Sequence, residues 1–203
     1  MDLTGPGPAR IGVFGGAFDP PHVAHVALAR AAVSQLALDE LRIFPTGQAW
    51  HKSNQLTPPD DRLAMAQIAF GGLARTVVDD RELRRPGATY TVDTLRELVA
   101  QHPHAQIFLV MGQDQAVAFP SWREWQAILA MATLAVAARP SAIAAHDHPG
   151  LPAQARVQPL ALPAMPDSAT HIRQLVARGE GIAELVPQGV ASYIASHHLY
   201  QRT

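Results

Sequence analysis

Residues 11–36 read IGVFGGAFDPPHVAHVALARAAVSQL, and the fold turns on this stretch. Ile11–Gly16 is a short apolar run closed by two glycines, the pattern of a buried strand. Pro20 and Pro21 then set a sharp entry into an alanine-rich helix expected from His22 to Leu36. A strand that passes through a glycine-bearing turn into a helix is the first half of a parallel βαβ unit. Gly15 and Gly16 let the backbone approach a bulky anion closely. His22 and His25, three residues apart, share one helix face near its start, where N–H donors and positive dipole suit phosphate. The plainer reading is a strand–turn–helix joint with two incidental histidines. A metal pair lacks a nearby third ligand. The stretch has neither the Gly-Lys-Ser/Thr ending of a P-loop nor a Gly-x-Gly-x-x-Gly pattern.

The same alternation continues outward. Strands are expected at Leu41–Thr46, Arg75–Val78, Ile107–Met111 and Leu134–Ala138. Helices are expected at about Asp60–Phe70, at Thr91–Gln101 from the spacing of Val92, Leu95, Leu98 and Val99, at Ser168–Arg178 and at Pro187–Ser196. Ser121 and Glu124 read as a capping box opening a further helix, Ser121–Met131. Arg139–Pro166, rich in Pro, Ala and His, reads as an insertion or irregular crossover. Together these predict an α/β protein, one domain over residues 1–203, with an open parallel sheet covered by helices on both faces and a flexible tail at 1–9. In such sheets ligands bind beyond the carboxyl ends of the strands.

Composition agrees with a globular class. The 203 residues are 48% hydrophobic and 16% charged, with a net charge of −1. A chain of this length buries roughly 70% of the surface it exposes when unfolded. There is no cysteine, which removes disulfides, thiolate metal sites and cysteine nucleophiles, and fits a reducing, cytoplasmic setting. The longest mostly apolar run, Ile128–Ala138 with only Thr133 polar, falls well short of the ~20 residues that span a bilayer, and the N-terminus lacks a signal pattern, so no membrane is expected. Without basic runs, no nucleic-acid partner is expected. Fifteen of the sixteen basic residues are Arg, and the lone lysine, Lys52, reads as a site where a compact ammonium is wanted.

Gly15–His25, GGAFDPPHVAH, resembles the (T/S)FDPxHxGH signature of the nucleotidylyltransferase superfamily, with Ala17 and Ala24 at the usual Thr and Gly. Far downstream, Ser168-Ala169-Thr170-His171-Ile172-Arg173 is similar to that superfamily's ISSTxIR motif. Ser168 is expected to cap that helix and Arg173 to offer a forked cation. Asp167 is expected to point away from any phosphate as an alternative cap. Three further segments narrow the likeness. His51-Lys52 matches the end of a Pro-His-Lys element with Trp50 at the Pro, residues 88–95 (ATYTVDTL) resemble SYTxDTL, and Gly112-Gln113-Asp114 with Trp122 and Trp125 resemble GxD and WxxW elements. Between Ile11 and Tyr200 the chain thus resembles the bacterial nicotinate mononucleotide adenylyltransferases.

The resemblance implies a Rossmann-like fold and transfer of the AMP moiety of ATP to nicotinate mononucleotide, yielding nicotinate adenine dinucleotide and pyrophosphate. It implies Mg²⁺ carried by the triphosphate, and no metal bound by the protein itself. It assigns His22, His25, Ser168, Thr170 and Arg173 to the ATP phosphates, and main-chain groups of Gly15, Gly16, Ala17 and Phe18 to the cleft wall. His25 is favoured at the α-phosphoryl group, and Lys52, with His51, reaches the phosphates from the other side. Trp122 is to stack on the pyridine, N–H groups around Tyr90 and Thr91 to bind its carboxylate, and Asp114, beside Gly112, to accept from a ribose hydroxyl. Sister activities on nicotinamide mononucleotide, on phosphopantetheine or with a cytidylyl donor are the alternatives, as is a non-catalytic nucleotide sensor. The TYTVDTL and SWREW segments speak against the phosphopantetheine and cytidylyl readings. Oligomeric state, monomer or homodimer, is left open.

Overall fold

A computed structural model of the chain describes residues 7–49, 56–138, 150–163, 165 and 168–201. Its strands are β1 Arg10–Gly16, β2 Glu40–Pro45, β3 Gln48–Ala49, β4 Thr76–Val78, β5 Ala88–Thr89, β6 Gln106–Met111, β7 Ala132–Ala138 and β8 Val157–Ala161. Its helices are α1 Val23–Gln35, α2 Pro59–Phe70, α3 Arg81–Arg84, α4 Thr91–Gln101, α5 Gln113–Ala118, α6 Trp125–Met131, α7 Ala169–Ala177 and α8 Gln188–Ser196. Six strands form one parallel sheet in the order β4-β2-β1-β6-β7-β8. β3 and β5 form a separate parallel pair.

Period-2 alternation sends successive side chains to opposite faces, and both faces are covered. Phe14, Phe108, Val110 and Ala135 join a core with Leu28 and Ala32 of α1, Met65 and Phe70 of α2, Ile172 of α7 and Ile194 of α8. Ile11, Val13, Leu109 and Val136 join a second core with Val92, Leu95 and Leu98 of α4 and Ile128 of α6. Strands buried on both sides read as unbroken apolar runs, which is why β1 and β6 stand out in the sequence. The order reverses beside β1. The chain leaves β1 toward β2 on one side and returns as β6 on the other, and the carboxyl ends of β1 and β6 flank this switch point.

Three expectations are corrected. The helix expected over Ser121–Met131 begins only at Trp125. Ser121 closes a 3₁₀ turn, Phe119–Ser121, and its hydroxyl donates back to the Ala118 carbonyl at 2.6 Å. Glu124 adopts a left-handed conformation, φ 51°, and its carboxylate accepts from Arg96 of α4 at 2.5 Å. The local pattern of a capping box is present, but a charge from another helix takes the carboxylate that would have closed it. Arg139–Pro166, expected to be irregular, contains β8. Pro159 has no N–H for a ladder, so only an edge strand accommodates it, and β8 is the edge. Residues 139–149 lie outside the described residues, as do 1–6 of the expected tail. The expected third strand is shortened by one residue, since Arg75 is left-handed at φ 57°. The short elements β3, β5, α3 and α5 were not anticipated.

Candidate active site

A cleft of about 1450 Å³ opens at the carboxyl ends of β1 and β6. One wall is the turn after β1 together with the start of α1. Gly15, Gly16, Ala17, Phe18, His22 and His25 all line it. His22 is the N-cap of α1 in extended conformation and is buried, while His25 sits one turn further on. Their rings lie 3.8 Å apart between centres. The expectation of leading N–H groups pointing at phosphate is narrowed. The N–H of His22 donates to His25 Nδ1 at 3.2 Å, and that of Val23 donates to the Leu185 carbonyl at 3.0 Å. The imidazoles, rather than these two amides, are therefore the groups suited to meet an anion at this wall.

Phe18 explains the glycine before it. It is buried with φ 47°, a strained conformation for a bulky residue, and packs edge-on against Phe14, His25 and Phe70. A Cβ at Gly16 would stand 3.0 Å from the Phe18 ring. Gly16 thus makes room for a side chain as well as for a ligand.

The start of α7 supplies a second wall. Ser168 is the N-cap of α7, its hydroxyl accepting from the His171 N–H at 3.2 Å. Ser168, Thr170 and Arg173 all line the cleft. Arg173 donates to the Asp19 carbonyl at 2.6 Å and to the Thr170 hydroxyl at 3.2 Å. Two of its five N–H donors are so engaged, which aims the guanidinium from α7 toward the turn after β1. Asp167 lies outside the described residues.

The opposite end is built by the starts of α4 and α5 and the turn before α6. Tyr90 is the N-cap of α4, Thr91 its first residue, Gly112 the N-cap of α5 and Asp114 in its first turn. All four line the cleft, as does Trp122. Trp122 has extended backbone, φ −72° and ψ 145°, because the helix starts later than its sequence suggests. It packs on Phe119 with ring centres 5.5 Å apart, and the Arg123 guanidinium lies 4.5 Å over the Tyr90 ring. Trp50, His51 and Lys52 lie outside the described residues. Among the described residues no group of three His, Asp or Glu is placed to hold a metal ion.

Five residues to which the sequence reading gave no site role organise these walls. Arg62 of α2, 1% exposed, donates to the carbonyls of Ala17, Thr46 and Thr57. Burial pulls its guanidinium below the usual arginine value, and the charge of Asp19 opposes that. Asp19, inside the quoted motif but given no role there, is buried and accepts from Thr57 N–H and Tyr200 OH. Glu82 of α3 lines the cleft with its carboxyl accepting from the Thr94 hydroxyl at 2.6 Å. Burial pushes it up to about 7, against the Thr94 hydrogen bond and the charge of Arg85. Gly47 lets the turn after β2 lie against this corner, since a Cβ there would meet the Glu82 carbonyl at 2.3 Å. No sequence signal marks Arg62, Glu82 or Tyr200, because a polar side chain that the fold buries or pairs with a distant group looks like a surface one along the chain.

Comparison with known proteins agrees with this geometry. Residues 13–175 match the cytidylyltransferase-like family. The "probable nicotinate-nucleotide adenylyltransferase" of Albidiferax ferrireducens is 54% identical over 95% of this chain and 98% of its own. A relative of the same description from Methylibium petroleiphilum is 42% identical over 94% of this chain and 92% of its own. In fold, the chain is similar to Plasmodium falciparum nicotinic acid mononucleotide adenylyltransferase complexed with NaAD, with a TM-score of 0.78 at 19% identity over 95% of this chain and 97% of that one. The common fold, the match along nearly the whole length and the cleft at the switch point lead to one assignment: this chain belongs to the nicotinate-nucleotide adenylyltransferase family.

Proposed function

We propose that the chain transfers the AMP moiety of ATP, bound with its Mg²⁺, to the phosphate of nicotinate mononucleotide. The products are nicotinate adenine dinucleotide and pyrophosphate. The observation that carries this reading is that one cleft joins the His22–His25 wall and the start of α7 to the Tyr90–Thr91–Trp122 end. The mononucleotide phosphate attacks the α-phosphorus in line and pyrophosphate leaves. No side chain need form a covalent bond, so catalysis is positioning and charge stabilisation.

In this reading His22 and His25 donate to the phosphoryl oxygens, with His25 at the α-phosphorus. Main-chain groups of Gly15–Phe18 shape the wall beside them. Ser168, Thr170 and Arg173 hold the β- and γ-phosphates, the future leaving group. His51 and Lys52 serve from the loop ahead of α2. Trp122 stacks on the pyridine ring, N–H groups at Tyr90 and Thr91 receive its carboxylate, and Asp114 beside Gly112 accepts from a ribose hydroxyl. The cysteine-free composition supports a cytoplasmic setting.

The test is pyrophosphate release with ATP and either nicotinate or nicotinamide mononucleotide in parallel. Turnover with the acid form is expected. Absence of release with every pyridine mononucleotide would overturn the reading.

A further inference from the structure

After α8 the chain reverses through two left-handed residues, His198 at φ 52° and Tyr200 at φ 63°. A non-glycine residue persists in that region only where its surroundings hold it there. For Tyr200 the surroundings are the cleft itself. Its side chain lines the cleft, and its hydroxyl donates to Asp19 Oδ1 at 2.6 Å across 181 positions of sequence. Burial and then the charge of Asp19 push the phenol well above its usual value, so it stays a donor at any physiological pH.

Asp19 is the point where four segments meet. Its Oδ2 accepts from the Thr57 N–H at 3.2 Å, just ahead of α2. Its carbonyl accepts from Arg173 of α7 at 2.6 Å. One residue before it is the strained Phe18, and three after it is His22. A carboxylate lining a cleft for a triphosphate is a repulsive element. Here each carboxylate oxygen receives a donor, which spreads its charge and fixes its orientation.

Resting on the proposed function, we propose that Tyr200 is a positioning residue for the ATP end of the site. Its hydroxyl holds Asp19, and through Asp19 the turn from Ala17 to His22, so that the last turn of the described chain completes the nucleotide wall. Tyr193 supplies the internal comparison. Its hydroxyl donates to Asp61 at 2.9 Å, also tying α8 to α2 through a tyrosine–carboxylate bond, yet Tyr193 is not among the cleft-lining residues.

The test is calorimetric titration of the full chain with MgATP, and separately with nicotinate mononucleotide, for wild type, Tyr200→Phe, Tyr200→Leu and Tyr193→Phe. Tyr200→Phe is expected to weaken ATP by about 3- to 10-fold, the scale of one hydrogen bond. Its mononucleotide affinity stays near wild type, its Tm falls by roughly 2–6 °C as for any lost hydrogen bond to a buried acceptor, and Tyr193→Phe changes neither affinity. Tyr200→Leu, which also removes the hydroxyl donor to Asp19, weakens ATP in the same selective way and carries the test should Tyr200→Phe not fold. Unchanged ATP affinity in Tyr200→Phe overturns the proposal, as does equal weakening of both ligands or equal weakening by Tyr193→Phe. The titration needs no turnover. A selective loss of ATP affinity in an enzyme that fails to use nicotinate mononucleotide would uphold this role and reject the substrate assignment.

Discussion

His22 donates its main-chain N–H to Nδ1 of His25, and the two rings lie at 32° to one another. An Nδ1 that accepts is unprotonated, so the neutral His25 ring carries its proton on Nε2 and acts there as a donor. The hydrogen bond therefore sets the tautomer needed at a developing phosphoryl charge. His25→Ala is expected to lower kcat by about 10²–10³-fold, the effect of removing one preorganised donor. ATP affinity should fall much less. Steady-state kinetics together with ATP titration checks this, and near-normal turnover would remove His25 from the catalytic assignment.

Trp122 reaches the cleft because α6 starts at Trp125, leaving it on extended backbone beside Phe119. A ring stacked on the pyridine reads the aromatic face, whereas N–H groups at Tyr90 and Thr91 read its substituent. A carboxylate suits those donors. A carboxamide turns an NH₂ toward one of them and loses the charge-assisted bond, a mismatch expected to cost about 100-fold or more. Trp122→Ala should lower kcat/KM for the acid and amide mononucleotides alike, by about 10-fold, and leave their ratio unchanged. Measuring both substrates in both proteins decides it, and equal use of acid and amide by the wild type would defeat the assignment.

Glu82 makes stability depend on pH. Burial raises its folded value to about 7, well above the ordinary carboxylate value of 4.5. Between these values the folded chain keeps a proton that the unfolded chain releases, so stability falls as pH rises through this window. The Thr94 hydrogen bond and then the charge of Arg85 oppose the rise, while the charges of Asp79 and Glu97 add to it. Glu82→Gln keeps an acceptor for Thr94 and removes the titration. Relative to this variant, wild type should lose on the order of 2 kcal/mol between pH 5 and pH 8. Thermal melts of both proteins across that range are the check, and parallel curves would show that Glu82 does not titrate there.

Arg62 ties three turns together through the carbonyls of Ala17, Thr46 and Thr57, at 3.0, 2.7 and 3.0 Å. Arg62→Leu strips the donor from all three at once. A loss of about 3 kcal/mol or more is expected, and a fall in Tm of roughly 6–12 °C. Arg62→Lys should recover little, since an ammonium lacks the planar fork that spans separate acceptors. Differential scanning calorimetry of the three proteins tests this, and a lysine variant with wild-type Tm would assign the residue's role to its charge alone.

The elements that short-range periodicity encodes were readable from the chain. Ile11–Gly16 and Ile107–Met111 are apolar runs because both faces of their strands are buried, and Val92, Leu95 and Leu98 repeat at helical spacing because one side of α4 packs. Much of two walls of the cleft was also readable, since GGAFDPPHVAH and SATHIR each condense a turn and a helix start into a few positions. Only the tertiary structure decided the rest. Ser121 and Glu124 have the pattern of a capping box, but Arg96, 28 positions away, takes the carboxylate. Pro159 disqualifies a central strand but not an edge, and edge position is a property of the assembled sheet. Asp19 meets Tyr200 across 181 positions, and Arg62 and Glu82 become buried only when other segments close over them. A sequence displays the spacing of neighbours along the chain. Which distant groups share a hydrogen bond, and which charges leave water, are settled only when the sheet brings those segments together.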